Sequence, residues 1–350
     1  TLRTRVPCPR VHFINNTIKR ALTIKGGTEF FFIDCYGACG GQLSTRMPVE
    51  DLAAVHWRRF VYLKLARRWH ALWCRWSPSG ELRSVFDAER AFEPTGKGCS
   101  MQVVYHYRDE RGTVAEGPQS GPWHLTEEAC STPHGMLHPA SPEMTTLLLP
   151  GGPSAWCMRR SPAGTPCAAE LFLHHGDHLR MSAGVVHSAD GTLQQLALVR
   201  EDARGPWPSA AAAEGWSESC EAAAVCGAEL ERALERAAAP TRAPGSGFAV
   251  SASLEQRSLA GAAWHSTRVG SAAAADAVLL CAGGTVAVVA PARRVANQPF
   301  SSAAAWWPPQ HSTADSGEGE AGGGRRLYTV EAHWDAEGGL AEVRWLVFEA

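Results

Sequence analysis

Lysine is almost missing from this sequence. Only Lys19, Lys25, Lys64 and Lys97 occur, so the basic side chains are nearly all arginine. Alongside the alanine runs, this is the mark of GC-rich coding rather than of an arginine surface. A basic excess is missing too. The net charge of −2 at pH 7 argues against a nucleic-acid binder, whose phosphate contacts need a basic face. No apolar run is long enough for a membrane-spanning helix; Phe30-Phe31-Phe32-Ile33 stops far short. No Gly-x-Ser-x-Gly elbow presents a hydrolase nucleophile, and no glycine-rich phosphate loop opens a helix. The 11 cysteines are odd in number and irregularly spaced. Cys35 with Cys39, and Cys220 with Cys226, miss zinc-ribbon spacing, so free thiols and small hydrophobes are expected.

What is present favours a β protein. The 350 residues, 45% of them hydrophobic, suffice for about two domains with cores. Residues 1–28 carry Arg3, Arg5, Arg10, Lys19, Arg20 and Lys25 and no acid. That is the composition of an organelle transit peptide, or of a gene start set too far upstream. Leu52, Val55, Trp57, Phe60, Leu63, Leu65 and Trp69 recur at near-helical spacing and predict a helix over 50–69, placed to plug a barrel mouth. The period then changes to two: Met101, Val103, Tyr105 and Tyr107 alternate with Gln102, Val104 and His106. Leu82 to Phe92, Leu171 to Leu173, Met181 to Val185 and Leu193 to Leu198 supply further strands. Ser77-Pro78-Ser79-Gly80, Asp109-Glu110-Arg111-Gly112, Ser188-Ala189-Asp190-Gly191 and Asp335-Ala336-Glu337-Gly338 share a Ser or Asp first and a Gly fourth. In such turns the side chain caps the bend and glycine takes positive φ, which predicts a meander of hairpins.

Residues 203–247 interrupt the pattern with Pro206, Pro208, Pro240, Pro244 and alanine runs, and Glu221 to Ala239 is predicted helical. The expected domains are therefore a transit peptide or disordered segment at 1–50, a first barrel with its N-terminal helix at 51–202, a helical linker at 203–247 and a smaller second barrel at 248–350. Strands are expected near Val278–Cys281, Thr285–Val289, Leu327–His333 and Leu340–Phe348. Residues 308–326 are rich in Pro, Gly and Ser and are expected to be a disordered loop.

Little in the sequence suggests catalysis. His174, His175 and His178 surround Gly176-Asp177, but a hairpin turn there directs them apart. Exposed turn histidines are expected, and no metal site. Thirteen tryptophans are many; Trp57, Trp69, Trp73, Trp76, Trp123 and Trp156 fall in the first domain. They either fill a barrel or line a cavity for a flat apolar ligand. Arg90, Arg180 and Arg200 lie in strand-like stretches, paired with carboxylates or turned inward. The barrel-interior candidates are Trp73, Arg90, Tyr105, Trp123, Arg180 and Arg200, with no catalytic or metal-ligating residue and no cofactor.

His70-Ala71-Leu72-Trp73, followed by Arg75-Trp76-Ser77-Pro78-Ser79-Gly80, resembles the opening of a lipocalin-type barrel, with Ala71 where that superfamily has Gly. The same stretch, with Phe86 to Phe92, Glu170-Leu171-Phe172, Arg180-Met181-Ser182, Asp190-Gly191-Thr192-Leu193 and Arg200-Glu201, resembles the cyanobacterial and plastid DUF3598 family. Tyr328 to Asp335 and Gly339 to Glu349 are similar to that family's final hairpin. The resemblance implies an all-β protein of two antiparallel lipocalin-like β-barrels, with a preceding helix and a helical linker. The family includes the plastid biogenesis factor for ATP synthase. The resemblance therefore implies a non-enzymatic assembly factor of the chloroplast stroma that contacts the β and γ subunits of the CF1 head. Barrel topology and the tryptophans motivate the alternative: a carrier of a fatty acid, tetrapyrrole or carotenoid, with the cytoplasm as the alternative location.

Overall fold

The computed structural model describes residues 13–14, 17–18, 49–64, 67–108, 114–176, 178–205, 221–223, 245–262, 276–281, 286–308 and 326–349. Thr1–Thr45 and Arg46–Ala350 are separate compact units. In the first, β1 (Phe13–Ile14) pairs antiparallel with β2 (Thr17–Ile18). The rest of the predicted leader up to residue 48, and residues 309–325 of the loop predicted over 308–326, lie outside the described residues.

The second unit starts with helix α1 (Val49–Lys64). The helix is shorter than its predicted 50–69. Trp69 belongs instead to the first strand of a sheet, where it is fully buried. The strands that follow are β3 (Arg67–Trp76), β4 (Leu82–Thr95), β5 (Gly98–Arg108) and β6 (Val114–Thr126). A four-residue helix α2 (Glu127–Cys130) leads to β7 (Ser131–Thr132), β8 (Gly135–His138), β9 (Ser141–Leu148), β10 (Ser154–Met158), β11 (Cys167–His175), β12 (Leu179–His187) and β13 (Leu193–Asp202). Together they form one antiparallel sheet in the order β6-β5-β4-β3-β13-β12-β11-β10-β9-β8-β7. Its two edges, β6 and β7, are joined by α2 alone. The sheet therefore has to curl on itself into a nearly closed barrel. Trp123 of β6 and His138 of β8 meet across the seam with ring centroids 4.7 Å apart.

A second antiparallel sheet holds β14 (Glu221–Ala223), β15 (Gly245–Ser251), β16 (Gln256–Ala262), β17 (Asp276–Cys281), β18 (Val286–Pro291), β19 (Phe300–Trp306), β20 (Arg326–Trp334) and β21 (Leu340–Glu349), in the order β14-β17-β18-β19-β20-β21-β15-β16. The four strands expected here are present. Glu221–Ala223, the start of the predicted linker helix, is strand; residues 224–239 lie outside the described ones.

Three of the four predicted turns are described. Gly80, Gly191 and Gly338 take φ of +90°, +87° and +76°; the Asp109–Gly112 turn is outside. A fifth turn of the same build has Leu254 in place of glycine as its fourth residue, at φ +65°. Its Ser251 accepts the Leu254 N–H at 2.9 Å. The side chain that makes that φ unfavourable is fully buried, which offsets the strain.

The strand order of the second sheet repeats part of the first. β16-β15-β21-β20-β19-β18-β17 follows the path of β4-β3-β13-β12-β11-β10-β9. Connections repeat as well. The loops after β10 and β18 both end in proline, Pro166 and Pro299, and both carry a left-handed residue two before it, Gly164 at φ +81° and Asn297 at φ +59°. Each loop docks on the other half's hairpin turn. Ser161 N–H donates to Gly338 O at 2.7 Å and Leu340 N–H to Arg159 O at 2.9 Å. In mirror fashion, Arg294 N–H donates to Gly191 O and Leu193 N–H to Ala292 O, at 2.9 and 3.0 Å. One apolar core, with Leu72, Trp76, Leu171 and Met181 on one side and Val288, Trp306, Val330 and Trp334 on the other, lies between the sheets. Strands such as β12 are thus covered on both faces, which is why their outward positions are as apolar as their inward ones.

Candidate functional site

Side chains alternate along each strand. Directly paired residues share a face, so the register sorts the first barrel into two sets. Leu72, Cys74 and Trp76 of β3 look toward the second sheet. Trp69, Ala71 and Trp73 look into the barrel. Opposite them on β4 are Arg90, Ala88 and Phe86, and Ala88 faces Tyr105 of β5. On β13, Glu201 is opposite Ala71 and Arg200 opposite Leu72. Of the six barrel-interior candidates, Trp73, Arg90, Tyr105, Trp123 and Arg180 are on the inner face. Arg200 is on the other face, level with Leu72 and Met181 of the inter-sheet core. One residue of phase separates the two outcomes.

The middle of the barrel is charged. Arg180 Nε donates to Glu201 Oε2, and both side chains are wholly buried. Arg90 reaches two acids from the opposite wall: its Nη1 lies 3.8 Å from Glu201 Oε1 and its Nη2 4.0 Å from Glu170 Oε1. Ser182 Oγ donates to Glu170 Oε1 at 2.7 Å. The curl of the sheet makes this possible, because β4 and β11 stand four places apart in strand order. The Arg180 guanidinium is sandwiched between Trp69, 4.4 Å to its centroid, and Phe172, 5.0 Å. His174 packs edge-on against Trp69.

Burial and pairing act in opposite directions here. Burial pushes the Glu170 carboxyl above the ordinary carboxylate range, in spite of Arg90 and the Ser182 hydroxyl. Burial pushes Glu201 the same way, but Arg180 and Arg90 together hold it below that range. Arg90 loses by burial and gains more from Glu201, Glu170 and Tyr105, so its proton is held more tightly. Burial lowers His174 to about 4. His138 is lowered by burial and then by the Arg90 charge. Both imidazoles are therefore neutral near pH 7.

The histidines of the β11–β12 turn are not the exposed trio expected. His174 points into the barrel. His175, one residue on, meets Trp306 and Tyr328 of the second sheet. Among the described residues no three metal-ligating side chains come together. Cys74, Cys99, Cys130, Cys157 and Cys167 are buried and unpaired; burial pushes the thiols of Cys74 and Cys99 up to about 12 and about 11, which leaves them unreactive.

Several buried donors in the barrel make no hydrogen bond among the described residues: Arg180 Nη1 and Nη2, Arg90 Nε, His138 Nε2, Trp73 Nε1 and Trp156 Nε1. Glu170, Glu201 and His138 are not among the sequence candidates, whereas Trp156 is among the tryptophans expected to fill the barrel or line a cavity. Their inward phase was readable; their convergence was not. At one end, Trp57 and Phe60 of α1 close over Trp69, Phe92, Leu125, Met136 and Leu148, and Arg59 Nη1 anchors the helix on Leu148 O at 2.9 Å.

Among the described residues, the second half does not repeat the Arg180–Glu201 pair. The residues in register with Arg180 and Glu201 are Leu327 and Phe348, packed with Trp307 and Leu346. Its buried acid, Glu331, sits elsewhere and takes His333 Nε2 at 2.9 Å.

Residues 53–206 match the family model of the DUF3598 N-terminal domain, a domain of unknown function. The matched DUF3598 region runs from α1 through β13, and so contains the whole charged layer. A solved DUF3598-family protein of unknown function from Nostoc punctiforme PCC 73102 aligns over 84% of this chain and 98% of its own, with 13% identity and a TM-score of 0.48. The dehydratase domain of the polyketide PpsC from Mycobacterium tuberculosis aligns over 53% of this chain and 68% of its own, with 11% identity and a TM-score of 0.15. No curated protein matches.

Proposed function

We propose that this chain is a non-enzymatic binding protein whose first barrel carries a small apolar ligand with a polar head, of the fatty-acid, tetrapyrrole or carotenoid kind. One observation carries the reading. The barrel buries a four-membered ion cluster among aromatic rings, while the repeated half fills the equivalent Arg180 and Glu201 positions with Leu327 and Phe348. Buried ion pairs are weak sources of stability, and well-packed apolar replacements often match them. The scaffold thus has an apolar solution at hand, and a polar interior serves recognition. Trp73, Tyr105, Trp123 and Trp156, all half-buried on the inner face, supply the apolar lining that small-molecule sites use.

Native mass spectrometry and absorption spectra of the purified full chain test this. A retained small molecule, released by organic solvent, is the expected result. A chain that carries none, and leaves an environment-sensitive apolar fluorophore unquenched and unshifted, sinks the reading.

A second reading follows from the resemblance to the plastid DUF3598 family: an assembly factor for the ATP synthase head, acting in the chloroplast stroma on the CF1 β and γ subunits. Exposed aromatic side chains on a docked two-sheet body favour it, Tyr62 on α1 and Tyr107 on β5, since such residues are enriched at interfaces. Native pull-down from stroma is the test; recovery of no head subunit counts against it.

A further inference from the structure

We propose that the ligand of the first barrel is an organic acid whose carboxylate is seated on Arg90, His138 and Trp156, with Glu170 taking up one proton as it binds. This rests on the binding reading above and specifies its chemistry.

The donors come first. His138 Nδ1 accepts the Ala140 N–H at 3.1 Å, so the neutral ring carries its proton on Nε2. That Nε2, the Trp156 indole Nε1 and the Arg90 Nε are buried and make no hydrogen bond among the described residues. All are donors, and such groups are costly to leave unmade. They belong to one neighbourhood. The His138 ring lies 6.0 Å from that of Trp156. Trp156 is directly across from Glu170, whose Oε1 is 4.0 Å from Arg90. A group that fits three donors is an acceptor, and beside an arginine a carboxylate is the matching one. Trp123, 4.7 Å from His138, and Met101, paired with it on β5, give the apolar part of the acid a surface.

Charge balance then assigns Glu170. Arg90 on β4 and Arg180 on β12 are matched by Glu170 on β11 and Glu201 on β13. His138 on β8 and His174 on β11 are neutral, and Arg67 and Arg75 of β3 stand against the rings of Trp69 and Trp73. A carboxylate entering this site brings a further negative charge beside Glu170 in a low-dielectric interior. Glu201 is held by both arginines. Glu170 faces Arg90, a neutral hydroxyl and the Glu201 charge, and burial pushes its carboxyl above the ordinary carboxylate range. The proton passes from solvent to Glu170, and no bond to carbon is made or broken.

Fluorescence titration of the full chain with 12-(9-anthroyloxy)stearic acid and with its methyl ester tests the inference, with circular dichroism to confirm folding of each variant. The acid is expected to bind at least roughly tenfold tighter than the ester at pH 6.5. That advantage should fall by up to about tenfold per unit as pH rises. Trp156→Phe and His138→Phe should each lower acid affinity about tenfold and leave the ester unchanged; Glu170→Gln should abolish the pH dependence. Equal binding of acid and ester, or an acid preference untouched by both donor variants, overturns the proposed head site while the barrel remains a binding compartment. Saturable binding of neither probe overturns the compartment itself and this inference with it.

Discussion

Arg180 meets Glu201 through its Nε alone, and the remaining guanidinium nitrogens are buried between Trp69 and Phe172 with no hydrogen-bond partner among the described residues. A single contact thus compensates two fully buried charges, with Arg90 as a second, longer-range neighbour of the acid.

Breaking that pair should be costly, and removing both members should not. Glu201→Leu leaves two arginines facing Glu170 alone. It is expected to destabilise by about 3–5 kcal/mol. Adding Arg180→Leu, which restores balance and imitates the second half, should recover most of the loss. Urea unfolding of both single variants and the double variant measures this; additive losses would contradict it.

Gly191 and Gly338 are constrained twice over. Each has positive φ, and a Cβ on either would strike the docking loop of the other half: Arg294 O at 2.6 Å for Gly191, Ser161 O for Gly338. Alanine at Gly164 meets no atom within 4 Å, so it should cost only the conformational strain of about 1–2 kcal/mol. Gly191→Ala and Gly338→Ala should each lose more than that in thermal or urea unfolding. Equal losses at all three positions would show that the loop docking carries no weight.

Leu254 sets burial against backbone strain. Leu254→Ala forfeits a core side chain, worth about 2–5 kcal/mol, and keeps the strain. Leu254→Gly forfeits the same side chain and relieves about 1–2 kcal/mol. Glycine should therefore be the milder substitution at this site. Denaturant midpoints give the order directly.

Acid should weaken the fold through its buried histidines. His56, His174 and His187 are each lowered to about 4, chiefly by burial, from an unfolded value near 6.5. Between those values the unfolded chain binds protons that the folded chain refuses. Stability therefore rises with pH across this window and falls as pH drops from about 6.5 toward 4. Each histidine adds up to about 1.4 kcal/mol per pH unit. His187→Gln, which can still donate to Pro291 O in place of His187 Nε2 at 2.8 Å, should flatten the slope. A wild-type stability that stays constant from pH 7 to 5 would refute the assignment.

The hairpins were legible because their causes are local. A capping Ser or Asp and a glycine three residues on specify a turn whatever surrounds it, and alternation from Met101 to Tyr107 specifies a strand with one inward face. The same logic misses Leu254, whose unfavourable φ is tolerated only because a distant core buries its side chain. It also carries the α1 helix too far, since Trp69 continues the helical spacing while its burial is supplied by Arg180 and His174 from strands over a hundred residues away. What the residues determined alone was the class: antiparallel β, two runs of hairpins, arginines in strands. Tertiary structure decided which arginines matter. A one-residue difference in phase sends Glu201 inward and Arg200 outward. Only the closing curvature of an eleven-stranded sheet brings Arg90, Glu170, Arg180 and Glu201 within reach of one another. No sequence spacing encodes that meeting, because it depends on how far a sheet bends.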